Sequence, residues 1–430
     1  MPLRTGLLSS LDTVADWLGF LDRPLSADEL VAAACRRAGH GNFGDLSFVD
    51  PLRRFVAACD AEAELSVVGR IATRWDIGRF LTNLLRLRAE EAKAPAILKQ
   101  AVARPIFIAG LPRSGTTFLH CLMLQDPANR GPLVYETIYP YPDHPHSEHD
   151  TGANVPDDRV ARVDRQLRRF EWLAPEFRAL HPLEADMPQE CSEIAAHVFR
   201  SLRFDSNYHV PSYREWLDAA GHVDAYAFHK RFLQHLQYQG RRKGTQGTDT
   251  RWVLKCPDHV FALDAIRAVY PDARMVFVHR DPQKVLLSVT RLTEVLRAPF
   301  TRRIDRAGIG QQEVRRYGEA VSLMGEASLR EDFAEPILHI RHTDLIADPA
   351  GTVAGVYRHF ALPWAPEIAA DIGSYTAERP NGGYAPHSYR SEDYRLDPTP
   401  ERERFAAYMA RFGIEDEAAA SRPRRELMTA

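Results

Sequence analysis

Four short apolar runs, each followed by a stretch with helical spacing, restrict what this chain can become. They are PIFIAG (105–110), RWVLK (Arg251–Lys255), ARMVFVHR (Ala273–Arg280) and PILHIRH (Pro336–His342). A continuous apolar run ended by glycine, as in the first, predicts a strand buried on both faces, and the other three resemble it. The stretches that follow, TTFLHCLMLQ, HVFALDAIRAVY, PQKVLLSVTRLTEVLR and DPAGTVAGVYRHF, predict helices. Strands alternating with helices imply an α/β chain, a parallel sheet with helices on both faces. Ligands of such sheets bind at the carboxyl ends of the strands. Here those ends are Gly110, Cys256, Arg280 and His342, distant in sequence yet able to converge.

The remaining sequence divides around this sheet. From about Ser26 to Lys99 it reads as helical: SADELVAAACRRAG opens on a serine N-cap with Glu29 three positions on, and WDIGRFLTNLLRLRAEEAKA repeats the apolar spacing with charges outward. Between the first two strands lies an insertion, about 125–250. It holds a Pro- and His-rich loop, YPYPDHPHSEHD, a helix in VDAYAFHKRFLQHLQYQ and a basic connector, GRRKGTQGTDT. The expected organisation is a helical N-terminal region, 1–100, and an α/β domain, 101–430, whose largely helical insertion borders the ligand side.

Composition removes several function classes. The 430 residues carry a net charge of -3, so no global field recruits nucleic acid or an anionic membrane, and a bound anion needs a local site. No apolar run reaches the ~18 residues of a membrane span. The N-terminus has acidic residues within its apolar part and no cleavage pattern. Five scattered cysteines make a poor disulfide framework and are expected as reduced thiols, hence a cytoplasmic chain. Oligomeric state is not legible.

The chemistry concentrates in GLPRSGTTFLH, Gly110–His120. Gly110 and Gly115 have phosphate-loop spacing, but Thr116 stands where a nucleoside-triphosphate loop has its lysine. A strand, a glycine turn and a helix N-terminus remain, supplying clustered N–H donors for an oxyanion. The cation sits instead at Arg113. The same letters also fit a plain strand-to-helix turn with a solvated arginine. In HRDPQKVLLS, Arg280 stands eight residues before Ser288, a strand-end arginine and a hydroxyl two turns into a helix, able to grip a second phosphate. The alternative is an arginine paired to Asp281 and a serine facing the core.

Together these segments resemble the sulfotransferases that use 3′-phosphoadenosine 5′-phosphosulfate (PAPS). LPRSGTT matches that family's 5′-phosphosulfate loop, and Arg280 with Ser288 its 3′-phosphate element, in the same order. RWVLKCPDHVFALDAI, YPDARMVFVHRDP, HTDLIADP and HSYRSED extend the resemblance to the large bacterial branch, over roughly the whole chain. The resemblance implies a P-loop-like fold and sulfuryl transfer to a hydroxyl or amine, with PAPS as donor and no metal. It implies donor contacts from Arg113, Ser114, Gly115, Thr116, Thr117, Arg280 and Ser288, with His387 and Ser388 in a tail folded over the nucleotide.

Arg113 and Lys255 are assigned to the bridging and leaving oxygens. Lys255-Cys256-Pro257 replaces the lysine–threonine–histidine of other members, and His259 falls in the next helix, so the base expected from tyrosylprotein-type relatives is Glu136, in VYET. Read without the resemblance, Lys255 is a solvated strand-end lysine and Glu136 a surface carboxylate. Three other groups carry weaker expectations. His144, His146 and His149 form a pocket rim rather than a metal site. Glu184, Asp186, Glu190 and Glu193, in PLEADMPQECSE, form a solvated helix start. Tyr135, Tyr139, Tyr141, Phe204, Tyr208, Tyr213 and Trp216 line an acceptor pocket or fill core. The acceptor is a small molecule with a lipid-like, phenolic or sugar hydroxyl. A P-loop kinase, with magnesium and ATP, and a non-catalytic carrier of nucleotide or anionic ligand are the competing functions.

Overall fold

The computed structural model describes residues 12–17, 19, 21, 23–142, 157–242, 250–379 and 390–417. His387, Ser388, His144, His146 and His149 lie outside them. The four expected strands form: β1 (Ile106–Gly110), β3 (Arg251–Lys255), β4 (Arg274–His279) and β5 (Leu338–Arg341). A fifth, β2 (Asn129–Arg130), is too short to leave a periodic signal in sequence. The sheet order is β2-β3-β1-β4-β5 and every pairing is parallel. Ile106 lies opposite both Val253 and Arg274. The chain leaves β1 toward the β3 side and later crosses to β4, so connections diverge at the carboxyl end of β1, where such sheets hold ligands.

The pleat explains why β1 reads as apolar throughout. Ile106 and Ile108 point into one core with Leu119, Leu122, Val276, Val278 and Tyr357. Phe107 and Ala109 point into the other, with Leu254, Met275 and Phe277. That second core continues into the N-terminal helices α1 (Ala27–Ala38), α2 (Val49–Glu62) and α3 (Val67–Lys93). It also takes in the insertion: Phe55 of α2 packs on Phe204 with ring centroids 4.1 Å apart and planes tilted by 32°, and Phe80 of α3 meets Phe199 at 5.9 Å. Helical N-terminal region, insertion and one sheet face therefore bury a common apolar mass.

Local signals set the helix starts. Ser26 Oγ accepts from the Glu29 amide and caps α1 as its sequence predicts. α3 begins eight residues before the expected Trp75, because Ser66 Oγ caps it through the Gly69 amide at 2.9 Å. Gly69 lets this helix press on the chain at Phe300, whose carbonyl oxygen would lie 2.0 Å from an added Cβ. Three further elements frame the site: α4 (Thr116–Met123) after β1, then α5 (Val134–Ile138) and α6 (Asp158–Leu173) in the insertion. They are followed by α7 (Cys191–Ala196), the expected long helix α8 (Val223–Arg242), and α9 (Pro282–Arg297) after β4. None of the described helices is long and apolar enough to cross a membrane.

Candidate active site

The loop after β1 is shaped by three residues with positive φ: Gly110 at +148°, Arg113 at +64° and Gly115 at +93°. Gly110 abuts β4 so closely that a Cβ would sit 2.4 Å from the Val278 carbonyl oxygen. Ser114 is fully buried, its Oγ donating to the Leu111 carbonyl at 2.6 Å, which ties the turn to its own start. No side chain caps α4, so the first-turn amides behind Gly115 are oriented to take an oxyanion.

The two expected anion grips are joined. Arg113 Nε donates to Ser288 Oγ at 3.0 Å and Nη1 to the Leu180 carbonyl at 2.7 Å. Arg280 Nη1 donates to the Arg113 carbonyl at 2.8 Å. Its Nε and Nη2 fork onto the Glu417 carboxylate at 2.9 and 2.8 Å. Arg280 is thus not paired to Asp281, which instead caps α9 through the Gln283 amide and accepts from the Glu417 amide at 3.0 Å. Ser288 faces Arg113 rather than Arg280, so the serine links the two grips. The Arg280 guanidinium holds the Glu417 carboxyl below its usual range against the opposing effect of burial. His342, at the end of β5, is pushed down to about 4 by burial and by Arg280.

Lys255 ends β3 at 1% exposure, so it is not the solvated lysine that isolated sequence allows. Its Nζ donates to Glu190 Oε1 at 2.6 Å. Burial acts to raise the Glu190 carboxyl, but Lys255 and then His181 outweigh it and the net shift is downward. His181 itself is pushed down to about 4, first by burial. Glu190 and His181 both line the main cleft. The expectation that PLEADMPQECSE is a solvated helix start is therefore corrected for half of its acids. Glu190 faces the cleft at the start of α7, and Glu193 is buried, held by Arg79 at 2.6 Å and Arg203 at 2.9 Å. The same two arginines hold Asp76, at 2.6 and 2.7 Å.

Glu136 is not brought to the cleft. Its Oε1 accepts from Arg130 at 2.5 Å and its Oε2 from the Leu133 amide at 3.0 Å, so both oxygens serve the start of α5. The resemblance to tyrosylprotein-type sulfotransferases is what points to Glu136, in VYET, as the base. Sequence missed Glu190 because Lys255 and Glu190 lie 65 residues apart and only the docking of the insertion joins them.

These groups close one end of a cavity of ≈ 1220 Å³. Arg113, Gly115, Thr116, Thr117, Arg280 and Ser288 line the polar end. Toward the surface the wall becomes apolar, built by Ile71 and Trp75 of α3, Leu167 and Phe170 of α6, Leu292 of α9, and Phe300. Of the seven insertion aromatics, Tyr208 lines this cavity, while Phe204 and Tyr213 are core. Such a site can hold two adjacent anionic groups at its head, a carboxylate beside them, and an apolar molecule along its length.

A family model described as the sulfotransferase family matches residues 105–366. Two curated relatives, both named omega-hydroxy-beta-dihydromenaquinone-9 sulfotransferase Stf3, come from Mycobacterium bovis and Mycobacterium tuberculosis. Each is 26% identical over 273 residues, 60% of this chain and 63% of the relative, so the match spans less than two thirds of their length. The crystal structure of sulfotransferase STF1 from Mycobacterium tuberculosis superposes with a TM-score of 0.75 at 30% identity, covering 89% of this chain and 99% of that one. Sulfotransferase STF9 from Mycobacterium avium gives 0.78 at 27% identity, covering 92% and 98%.

Proposed function

Because the chain belongs to the sulfotransferase family, we propose that it transfers a sulfuryl group from PAPS to the hydroxyl of a lipid-like acceptor. The observation that carries this reading is the pair of arginines just past strand ends, Arg113 in the loop after β1 and Arg280 after β4, joined through the Arg113 carbonyl beside an uncapped helix start. Two anion grips so close suit one bisphosphorylated nucleotide. The residues fit that donor: loop amides of Ser114–Thr117 and Arg113 would hold the 5′-phosphosulfate, and Arg280 the 3′-phosphate. A carboxylate already forked on Arg280 supports its role as an anion receptor. Ser288 supports both grips through Arg113. His387 and Ser388 are retained as tail contacts to the nucleotide.

Transfer of this kind leaves the protein to position reactants and neutralise charge. Bond formation from acceptor oxygen to sulfur and cleavage of the sulfur–bridge oxygen bond send an electron pair to the departing phosphate, which Arg113 and Lys255 stabilise. The acceptor proton needs a base. Glu190 is our assignment: it lines the cleft, and its partner Lys255 is the cation that negative charge on the donor would draw away. Glu136 is retained as the competing base, with the burden that it first leave Arg130.

The apolar wall favours a lipid-like alcohol over a sugar, in keeping with relatives named for a menaquinone acceptor. The contribution of Ile71 and Trp75 makes the N-terminal helices part of acceptor binding. Five unpaired thiols support a cytoplasmic setting. The test is incubation with PAPS and long-chain alcohols, with and without EDTA, following release of 3′,5′-adenosine bisphosphate. EDTA-resistant release with the sulfated alcohol is expected. Tight nucleotide binding without release indicates a carrier, and magnesium-dependent consumption of ATP a kinase.

A further inference from the structure

The rim of the cleft is not an ordinary protein surface. Among the cavity-lining residues, Ile71, Trp75, Arg169 and Ile346 are exposed, Ile71 at 58% and Trp75 at 44%. Solvated apolar side chains at a cleft mouth mark an interaction surface. A second tryptophan, Trp172, is 58% exposed, one residue before the cavity-lining Leu173. A third, Trp17, is 83% exposed on a segment pinned beside the mouth: Asp12 accepts from the Val67 amide at 2.8 Å, and Asp16 pairs with Arg302 at 3.6 Å.

The charge pattern identifies the partner. α6 has two faces: Val163, Leu167 and Phe170 pack inward, while Arg165, Arg168, Arg169 and Trp172 are exposed. At ~100° per residue those four positions fall within one arc of about 100°. No ion pair engages Arg165, Arg168 or Arg169 among the described residues, whereas neighbouring acids are engaged, Glu171 with Arg178 and Glu176 with Arg291. Arg169 of this face lines the same cavity as Ile71 and Trp75 of α3, so the two faces border one opening.

Indole rings favour the boundary between headgroups and acyl chains, and arginines favour anionic headgroups. The net charge of -3 offers no general attraction, so the arrangement is local. We propose that the α3–α6 rim docks on the surface of an anionic lipid bilayer, so that the cleft opens onto the acyl region from which its acceptor is drawn. The purpose rests on the transfer reading above; the docking itself does not.

The experiment is cosedimentation of the full chain with phosphatidylcholine vesicles, with and without about 30% phosphatidylglycerol, at low salt and at about 0.5 M NaCl. Binding to the anionic vesicles, weakened by salt, is expected. Arg165→Gln/Arg168→Gln should lower partition by about 25-fold, about fivefold per arginine. Trp172→Ser should lower it at both salt levels. None of these three side chains lines the cleft, so binding of 3′,5′-adenosine bisphosphate and the thermal midpoint report an intact fold. Equal binding to neutral and anionic vesicles, or a double variant that partitions like wild type, overturns the proposal. So does a vesicle-free dimer that the double variant dissociates, since the face would then belong to a second copy. Vesicle binding is read without turnover, so its failure and a failure of sulfuryl transfer are separate results.

Discussion

Replacing Glu190 with glutamine separates the two carboxylates that compete for the role of base. The change keeps shape and a carbonyl oxygen within reach of Lys255 Nζ, now 2.6 Å from Glu190 Oε1, but removes the charge. Lys255 is 1% exposed, whereas the Glu190 side chain is 27% exposed, so solvent screens part of the pair. Breaking a fully buried pair costs about 3–5 kcal/mol. With one partner partly solvated and a neutral hydrogen bond retained, about 1–2 kcal/mol is expected, a small drop in thermal midpoint. The effect on rate should be far larger: loss of a general base lowers kcat by about 10²–10⁴-fold. Release of 3′,5′-adenosine bisphosphate gives kcat, and calorimetric titration of the same nucleotide should show affinity within a few-fold of wild type. Glu136→Gln is the matched control. It loses charge at Arg130 and half of an α5 start, costing about 1 kcal/mol of stability while turnover stays within a few-fold. Near-normal kcat in Glu190→Gln, or collapse of kcat in Glu136→Gln with donor binding intact, refutes the assignment.

Three further outcomes follow from the geometry. Glu417→Gln removes the carboxylate forked on Arg280 and should tighten 3′,5′-adenosine bisphosphate by about 3–30-fold, the equivalent of roughly 0.5–2 kcal/mol for a pair whose side chains are 26% and 24% exposed; an unchanged Kd would show that Arg280 does not meet the nucleotide. Gly110→Ala combines φ of +148° with a Cβ 2.4 Å from the Val278 carbonyl, so a loss of about 2–6 kcal/mol and poor recovery of folded protein are expected, against a wild-type-like denaturant midpoint if the loop can shift. Asp76 is brought down to about 2, burial opposing and Arg203 then Arg79 prevailing. Its folded pKa is depressed, so the stabilisation is present above the unfolded value near 4 and is lost as pH falls from about 4 toward 2. It amounts to about 2 kcal/mol. Asp76→Asn should therefore narrow the gap to wild type across that acid range in equilibrium unfolding, and a gap independent of pH there would contradict the assignment.

Local chemistry made the sheet and the loop readable. Each strand is a run of four to six residues whose neighbours in sequence already declare it, and PRSGTT needs no distant partner to form a turn into a helix. Arg113, in the position proposed to stand in for the missing lysine, is read from the same local stretch. β2 escaped because two residues have no period.

What tertiary structure alone decided is which charges meet. Glu190 reaches Lys255 across 65 positions, Arg113 reaches Ser288 across 175, and Glu417 reaches Arg280 across 137. An acidic residue at a helix start has the same local signature whether water or a lysine faces it. Burial and pairing depend on how the insertion and the tail pack over the strand ends. Sequence could thus name a glycine turn from strand to helix on a parallel sheet, the loop proposed to hold the donor, while the carboxylate beside it and the apolar length of the cleft emerged only when α3, α6 and α9 closed around one space.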